Sequence, residues 1–352
     1  MLDIAEDRPV AAALRAHVIT LFPSGTSFSA QESESVLDAA ARAGVLLPHQ
    51  CKTGSCGACQ ARVLIGETQL LNPGAPALSA EDAAQGLRLL CCTSARSALQ
   101  LECAEIPHIP GIEVRKLPVR VAALERLASD VIRLQLQPPA GQRLHYAAGQ
   151  YVDMLLPGNR RRSYSLATPP GADLLELHIR HLPGGLFTDQ VFGQLKARDV
   201  LRIEGPFGTF GMHGESEAPA ILLASGTGFA PIKALVERLI AEGSQRPLSL
   251  YWGGRSRQDL YLHELCVQWQ QALPGQFHYV PVLSDAPAAD GWTGRTGWVH
   301  QAVLHDHPDL SAHEVYACGA PPMVDAARRD FAALCGMRPT AFFADAFVAQ
   351  AS

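Results

Sequence analysis

The sequence predicts a multidomain protein of mixed α/β and β modules: a small cysteine-bearing unit, then an antiparallel β-barrel, then a parallel α/β sheet. Three observations predict this. Five of the nine cysteines fall between positions 51 and 92. Short strand-like runs recur between turn signals from residue 119 to about 210. From residue 219 onward, apolar strands alternate with helical stretches. At 352 residues the chain is long enough for two or three such cores.

Composition narrows the function. The chain has 47% hydrophobic and 18% charged residues and a formal net charge of -5, so it lacks the basic excess that nucleic acid binding requires. Asp3, Glu6 and Asp7 stand where a secretory leader would be basic. No apolar run reaches the roughly 18 residues of a membrane helix. The expectation is a cytoplasmic protein with neither nucleic acid nor membrane as partner, whose clustered thiols are free to bind metal rather than form disulfides.

In the first module, residues 15 to 30 alternate apolar and polar about Pro23-Ser24-Gly25-Thr26, which predicts a hairpin. Glu34 to Ala43 predicts a helix with Val36, Leu37, Ala40 and Ala43 on one face and Gly44 as its stop. Then comes Cys51-Lys-Thr-Gly-Ser-Cys56-Gly-Ala-Cys59, spaced C-x4-C-x2-C, with further cysteines about thirty residues later. This is the plant-type ferredoxin spacing, which implies a β-grasp domain and a [2Fe-2S] cluster. Four thiolates must converge on a small volume, and Gly54 and Gly57 allow the sharp backbone turns that this needs. Zinc loops prefer paired short spacings, so the four-residue first gap argues against zinc. The expected ligands are Cys51, Cys56, Cys59 and Cys91. Cys91 is favoured over the adjacent Cys92 because it follows Leu89-Leu90 as the ferredoxin pattern requires, with Leu99 where the next strand should begin. Of the scattered cysteines, Cys103, Cys266 and Cys335 read as small buried hydrophobes.

Pro107-His108-Ile109-Pro110-Gly111 and Lys116-Leu117-Pro118 read as a stiff linker. Beyond it, Val131 to Leu136, Gln150 to Leu156 and Leu175 to Arg180 predict barrel strands. Arg162-Ser163-Tyr164-Ser165 ends one of them, after Arg160 and Arg161, which read as a solvated basic edge. Here the chain resembles the ferredoxin reductase family of flavoproteins, whose R-x-Y-S motif marks an FAD site. The resemblance implies that Arg162 pairs with the pyrophosphate, Tyr164 packs on the isoalloxazine and Ser165 hydrogen-bonds near flavin N5, with Tyr164 and Ser165 counted as catalytic. Guanidinium suits phosphate geometry and an aromatic face suits a flat ring. Gly184-Gly185-Leu186-Phe187-Thr188 opens a predicted helix whose N-terminus would receive a phosphate, with the Thr188 hydroxyl added. Gly205-Pro206-Phe207-Gly208 then follows in the family's order.

Ile221 to Pro231 runs from an apolar strand through Gly226-Thr227-Gly228 into a helix from Ile232 to Ala241. Small residues there let a dinucleotide diphosphate approach the backbone. A glycine turn alone marks only a tight connection, but the G-T-G-x-A-P form ending at Pro231 resembles the NAD(P) loop of the same reductases. The resemblance also implies that Cys318 and Gly319, in Cys318-Gly319-Ala320-Pro321, border the nicotinamide, with Cys318 positioning hydride transfer; a buried structural thiol is the alternative. In Phe343-Ala344-Asp345-Ala346-Phe347 an aromatic, Phe347, stands over the flavin or packs in the core. Arg255 and Arg257 suit a 2′-phosphate whereas Asp259 suits a free ribose, and the reading favours NADH.

The expected domains are 14–106 for the [2Fe-2S] module, 114–213 for the FAD barrel and 218–349 for the NAD(P)-binding α/β module. Across nearly its whole length, most densely at Glu176 to Thr188, Gly294 to Val303 and the final Phe-Ala-Asp-Ala-Phe, the chain is similar to the CDP-6-deoxy-Δ-3,4-glucoseen reductase family. That resemblance implies an NAD(P)H-dependent reductase passing electrons through FAD and the cluster to a partner protein, an iron-sulfur dehydrase. The reductases of mono- and dioxygenases share the same modules and are the alternative. A redox sensor without turnover is a third reading, although a sensor has no need of a nicotinamide half.

Overall fold

The computed structural model describes residues 15–49, 54, 57–72, 78–103, 112–212, 216–286 and 291–347. The chain forms two compact units, one up to residue 108 and one from residue 109 onward.

In the first unit the predicted hairpin is β1 (Ala16–Phe22) against β2 (Ser27–Gln31). Next come α1 (Val36–Arg42), β3 (Gln60–Ile65), β4 (Thr68–Leu70), α2 (Ala80–Ala84), β5 (Leu87–Leu89), β6 (Thr93–Ala95) and β7 (Leu99–Glu102). The main sheet has the order β2-β1-β7-β3-β5, while β4 and β6 form a separate pair. Alternate residues of β1, β2 and β7 (Ile19, Leu21, Phe28, Ala30, Leu99 and Leu101) turn inward onto α1, so the sheet grips the helix in the β-grasp manner. Ser35 caps α1 by accepting the Asp38 N–H at 3.0 Å, a contact worth about 1 kcal/mol. The buried face of α1 is Val36, Leu37, Ala39 and Ala40. Ala43, expected on that face, is exposed because the helix has already ended at its C-cap, and Gly44 at φ +76° turns the chain away.

The second unit begins with β8 (Arg115–Ala128), β9 (Val131–Gln137), β10 (Tyr151–Leu156), β11 (Arg160–Ser165), β12 (Leu175–Arg180), α3 (Leu186–Gly193) and β13 (Val200–Phe207). The strands pair antiparallel in the order β11-β10-β13-β8-β9-β12. A bridge from Leu166 to Leu177 joins the two outer strands, and both side chains are fully buried. The sheet therefore closes into the expected barrel. Lys116, Leu117 and Pro118, read as linker, lie within β8 instead. Pro118 is tolerated because pairing with β9 starts only at Arg120, so on that side no amide donor is needed.

The remaining elements are β14 (Ala220–Ser225), α4 (Phe229–Ala241), β15 (Leu248–Gly254), α5 (His263–Ala272), β16 (Phe277–Leu283), β17 (Arg295–Thr296), α6 (Val299–Asp306), β18 (Glu314–Gly319), α7 (Pro321–Cys335) and β19 (Phe342–Ala346). All pairings are parallel, in the order β17-β16-β15-β14-β18-β19. Leu222, Ala224, Leu250 and Trp252 pack under α4 and α5, whereas Ile221, Leu223, Tyr251 and Val282 pack under α6 and α7. Covering both faces explains why these strands read as continuous apolar runs. Phe343 to Phe347, read as placing an aromatic over the flavin or in the core, is mostly a sixth strand: Phe343 stacks on Tyr316 at 4.9 Å. Strand order reverses between β14 and β18, which makes their carboxyl ends the place where a doubly wound sheet binds ligands. Among the described residues, no helix is long and apolar enough to cross a membrane.

Candidate functional site

In the first unit, Cys51 and Cys56 lie outside the described residues. Gly54 (φ +81°) and Gly57 (φ +74°) adopt the left-handed conformation that the loop was expected to need. Cys59 is buried, and its carbonyl accepts the Leu90 N–H at 3.0 Å, which ties the loop's end to the one-turn 3-10 segment Leu90–Cys92. Within that turn Leu90 and Cys92 face the core, while Cys91 is only half-buried. The Cys91 thiol is in hydrogen-bond contact with Cys59, which, with its burial, pushes its pKa far above the usual thiol range. Cys92 lies beside it, Sγ to Sγ 3.5 Å. Crowded thiols at a glycine-shaped loop resist ionisation as bare groups, and this donor set suits an iron–sulfur cluster, whose cations reverse that preference.

In the second unit the site is built at the switch point. Ala224 pairs with Cys318, so the chain leaves β14 at Ser225-Gly226 beside the end of β18 at Gly319. The two ends press together. A side chain at Gly228 would strike the Cys318 carbonyl, and one at Gly319 (φ +132°) would strike Ser225. These glycines are thus required by backbone packing as well as by any diphosphate. Ser225 Oγ accepts the Ala320 N–H at 3.0 Å, and the Gly226 carbonyl accepts from Trp252 Nε1 at 3.1 Å. Trp252 stacks on Phe229 at 3.9 Å, fixing the first turn of α4, in which Pro231 is buried. Thr227 is half-buried in the same turn.

From the barrel, β11 brings Ser165 to this place. Its hydroxyl lies 3.5 Å from the Asp345 carboxylate on β19, and Asp345 is paired in register with Cys318. Burial raises the Asp345 carboxyl to about 7, with the Ser165 hydroxyl opposing it. The Cys318 thiol, fully buried, is pushed well up, by burial first and then by the Asp345 charge. Asp345 thus links Ser165 on the barrel to Cys318, the neighbour of Gly319, on the parallel sheet. Phe347 is held by its N–H to the Gly319 carbonyl at 2.7 Å, its side chain half-buried.

Tyr164, the neighbour of Ser165 in an extended strand, points to the other face. Its ring meets Phe187 of α3 at 5.5 Å, and burial pushes its hydroxyl above the ordinary tyrosine range. Arg162 is half-buried and donates to the Arg161 carbonyl at 2.8 Å. Arg161, read as a solvated edge, is instead paired with Glu204 and, at 3.5 Å, with Asp153. At α3, Gly184 (φ +79°) faces open space on its side-chain side, and its N–H is bonded to Asp189 at 3.1 Å. Gly185 is the N-cap. The Thr188 hydroxyl does not face outward as expected: it donates to the Leu182 carbonyl at 2.9 Å and staples the turn shut.

Asp259 is tied into its own turn. It accepts N–H bonds from Arg255 and Ser256 at 3.0 Å each and lies 3.0 Å from Arg180. Burial works against its charge, but these partners outweigh it and hold its carboxyl low. Arg257 lies over the Trp292 ring at 5.5 Å. Arg180, which sequence reasoning missed, reaches from β12 of the barrel toward the glycine turn. Its guanidinium carbon would stand 3.6 Å from a side chain at Gly226. It also approaches Asp130 at 3.5 Å, in ion-pair contact rather than hydrogen-bond alignment. A cation beside a glycine turn at a helix start suits a diphosphate.

A β-grasp thiol site followed by a flavin-type barrel and a switch-point glycine turn defines an iron–sulfur flavoprotein oxidoreductase. Residues 19–96 match the 2Fe-2S iron-sulfur cluster binding domain, 118–212 the oxidoreductase FAD-binding domain and 222–329 the oxidoreductase NAD-binding domain. The chain is 40% identical to the CDP-6-deoxy-L-threo-D-glycero-4-hexulose-3-dehydrase reductase of Yersinia pestis, over 94% of this chain and 98% of the relative. It is 35% identical to terephthalate 1,2-dioxygenase reductase component 1 of Comamonas sp, over 94% and 97%. Among solved structures it resembles the Amycolatopsis cytochrome P450 reductase GcoB, at 32% identity and a TM-score of 0.77, covering 94% of this chain and 98% of that one. The chain belongs to this family of three-module reductases, and it is an NAD(P)H-dependent oxidoreductase that carries electrons through FAD and a [2Fe-2S] cluster to an acceptor protein.

Proposed function

We propose that the acceptor is an iron–sulfur dehydrase of deoxysugar formation and that NADH is the electron source. The observation that carries the first point is the 40% identity to a dehydrase reductase, against 35% to a dioxygenase reductase over the same share of the chain. The likeness to a cytochrome P450 reductase structure keeps an oxygenase as the second reading. Bound flavin accepts a hydride and releases electrons singly, which matches a two-electron donor to a one-electron cluster.

The chain's own residues prepare that exchange. Arg162, the Gly184-Gly185 turn and the start of α3 hold the FAD diphosphate, and Tyr164 flanks the ring. Gly226, Thr227, Gly228 and Pro231, with Arg180 above them, hold the dinucleotide diphosphate. Cys318 and Gly319 shape the nicotinamide pocket, Phe347 screens it, and Ser165 orients the reacting faces. Asp345 holds or releases a proton at the Ser165 hydroxyl. Cys59 and Cys91, with Cys51 and Cys56, bind the cluster. Mixing the purified reductase with a candidate dehydrase and, separately, a candidate oxygenase while following NADH consumption tests the assignment. Stimulation by the oxygenase alone would overturn it.

A further inference from the structure

Three ionisable side chains are buried between the barrel and α4: Lys233 at 6% exposure, Glu176 at 4% and His178 at 4%. The Lys233 ammonium donates to the Ala167 carbonyl at 3.1 Å and to Glu237 at 2.9 Å, and it lies 3.3 Å from Glu176. His178 Nε2 lies 3.0 Å from the same Glu176 carboxylate, and its Nδ1 lies 2.9 Å from the Tyr261 hydroxyl. Burial alone would raise the Glu176 carboxyl, but the His178 hydrogen bond and the Lys233 charge outweigh it and hold it at about 2. Apolar side chains of similar size would serve stability at least as well, since desolvating a buried ion pair cancels most of its attraction. What such a pair supplies instead is one geometry.

That geometry closes a circuit. Ala167 lies two residues beyond Ser165, and Lys233 lies five residues beyond Gly228 on the helix that the nucleotide turn opens. Gly228 is pressed on the Cys318 carbonyl, Cys318 pairs with Asp345, and Asp345 returns to Ser165. The R-x-Y-S strand and its continuation are thus tied to the nucleotide module twice, once at Ser165 and once two residues beyond it. We infer that Lys233, clasped by Glu176 and the Ala167 carbonyl, is a positioning residue that sets the distance between the flavin face at Ser165 and the nicotinamide pocket at Cys318. The inference rests on the placement of both cofactors proposed above. Neither Lys233 nor Glu176 touches either cofactor in that placement.

The test is anaerobic stopped-flow reduction of the cofactor-loaded Lys233→Met protein by NADH. Flavin and cluster absorbance should persist. The nicotinamide–flavin charge-transfer absorbance should weaken and hydride transfer should slow by about 10- to 100-fold, the cost of a misplacement near 1 Å. Lys233→Arg should recover most of the rate. Loaded K233M with unchanged rate and charge-transfer absorbance overturns the inference, whatever its melting temperature. If K233M loses flavin, Glu176→Gln, which keeps the shape and removes the charge, decides: slowed transfer supports the inference and a normal rate overturns it. Wild-type flavin that neither NADH nor NADPH bleaches would overturn the cofactor placement itself.

Discussion

The Ser165 hydroxyl and the Asp345 carboxylate lie 3.5 Å apart although 180 residues separate them in sequence. One comes from the end of a barrel strand and the other from the last strand of the parallel sheet. Their contact joins the barrel to the parallel sheet at a carboxyl that burial raises to about 7.

Asp345 should therefore make stability fall as pH rises. Its folded carboxyl is raised to about 7 from an ordinary 3.8, so between those values the folded state holds a proton that the unfolded state has released. Stability is full below the unfolded value and is lost as pH climbs through the folded one. Urea unfolding of Asp345→Asn should gain about 2–3 kcal/mol on wild type between pH 5 and pH 8. Equal pH profiles would refute this. The same variant should flatten the change in hydride-transfer rate between pH 6 and pH 8.

Cys91→Ser should lose the cluster's visible absorbance and iron content, because the half-buried Cys91 thiol is in contact with Cys59. Cys92→Ser should keep the cluster, since Cys92 faces the core, and should cost about 1 kcal/mol of packing. Iron and sulfide assays on the two purified variants separate them.

Gly228→Ala should destabilise the second unit by about 1–3 kcal/mol, as overpacking does, because the new methyl meets the Cys318 carbonyl. Dinucleotide affinity should fall with it. Thermal melts with and without NADH read both effects, and a variant with unchanged melting and affinity would show that the turn and strand do not press together.

Asp259→Asn should not switch the enzyme toward NADPH. The carboxylate is committed to the Arg255 and Ser256 amides and to Arg180, so its loss should loosen the 255–259 turn by about 1 kcal/mol and weaken both dinucleotides alike. The ratio of kcat/KM for NADH and NADPH measures this directly.

Much of the architecture was legible because it is local. The C-x4-C-x2-C loop, the alternation of β9 and β12 and the apolar run of β14 each announce themselves within ten residues. Strand β19 was not, since two aromatics flanking small residues and one acid fit a loop as well as a strand until β18 is beside them. Asp345 and Arg180 were missed because a carboxylate or guanidinium takes its role from distant neighbours, here Ser165 and Gly226. Lys233 did leave a signal: a lone lysine inside Phe229 to Val236, a stretch buried on every side, is rarely solvated. Thr188 misled for the opposite reason. Its chemistry suits a ligand, but the nearest backbone claims it first.

Among the described residues, the strand that delivers Asp345 is also the last of the second unit along the chain. A growing polypeptide can finish the barrel and five of the six parallel strands while the Ser165 hydroxyl still lacks its carboxylate. On the role proposed above for Asp345, a product truncated before Phe342 that folds and takes up flavin should be a poor reductase.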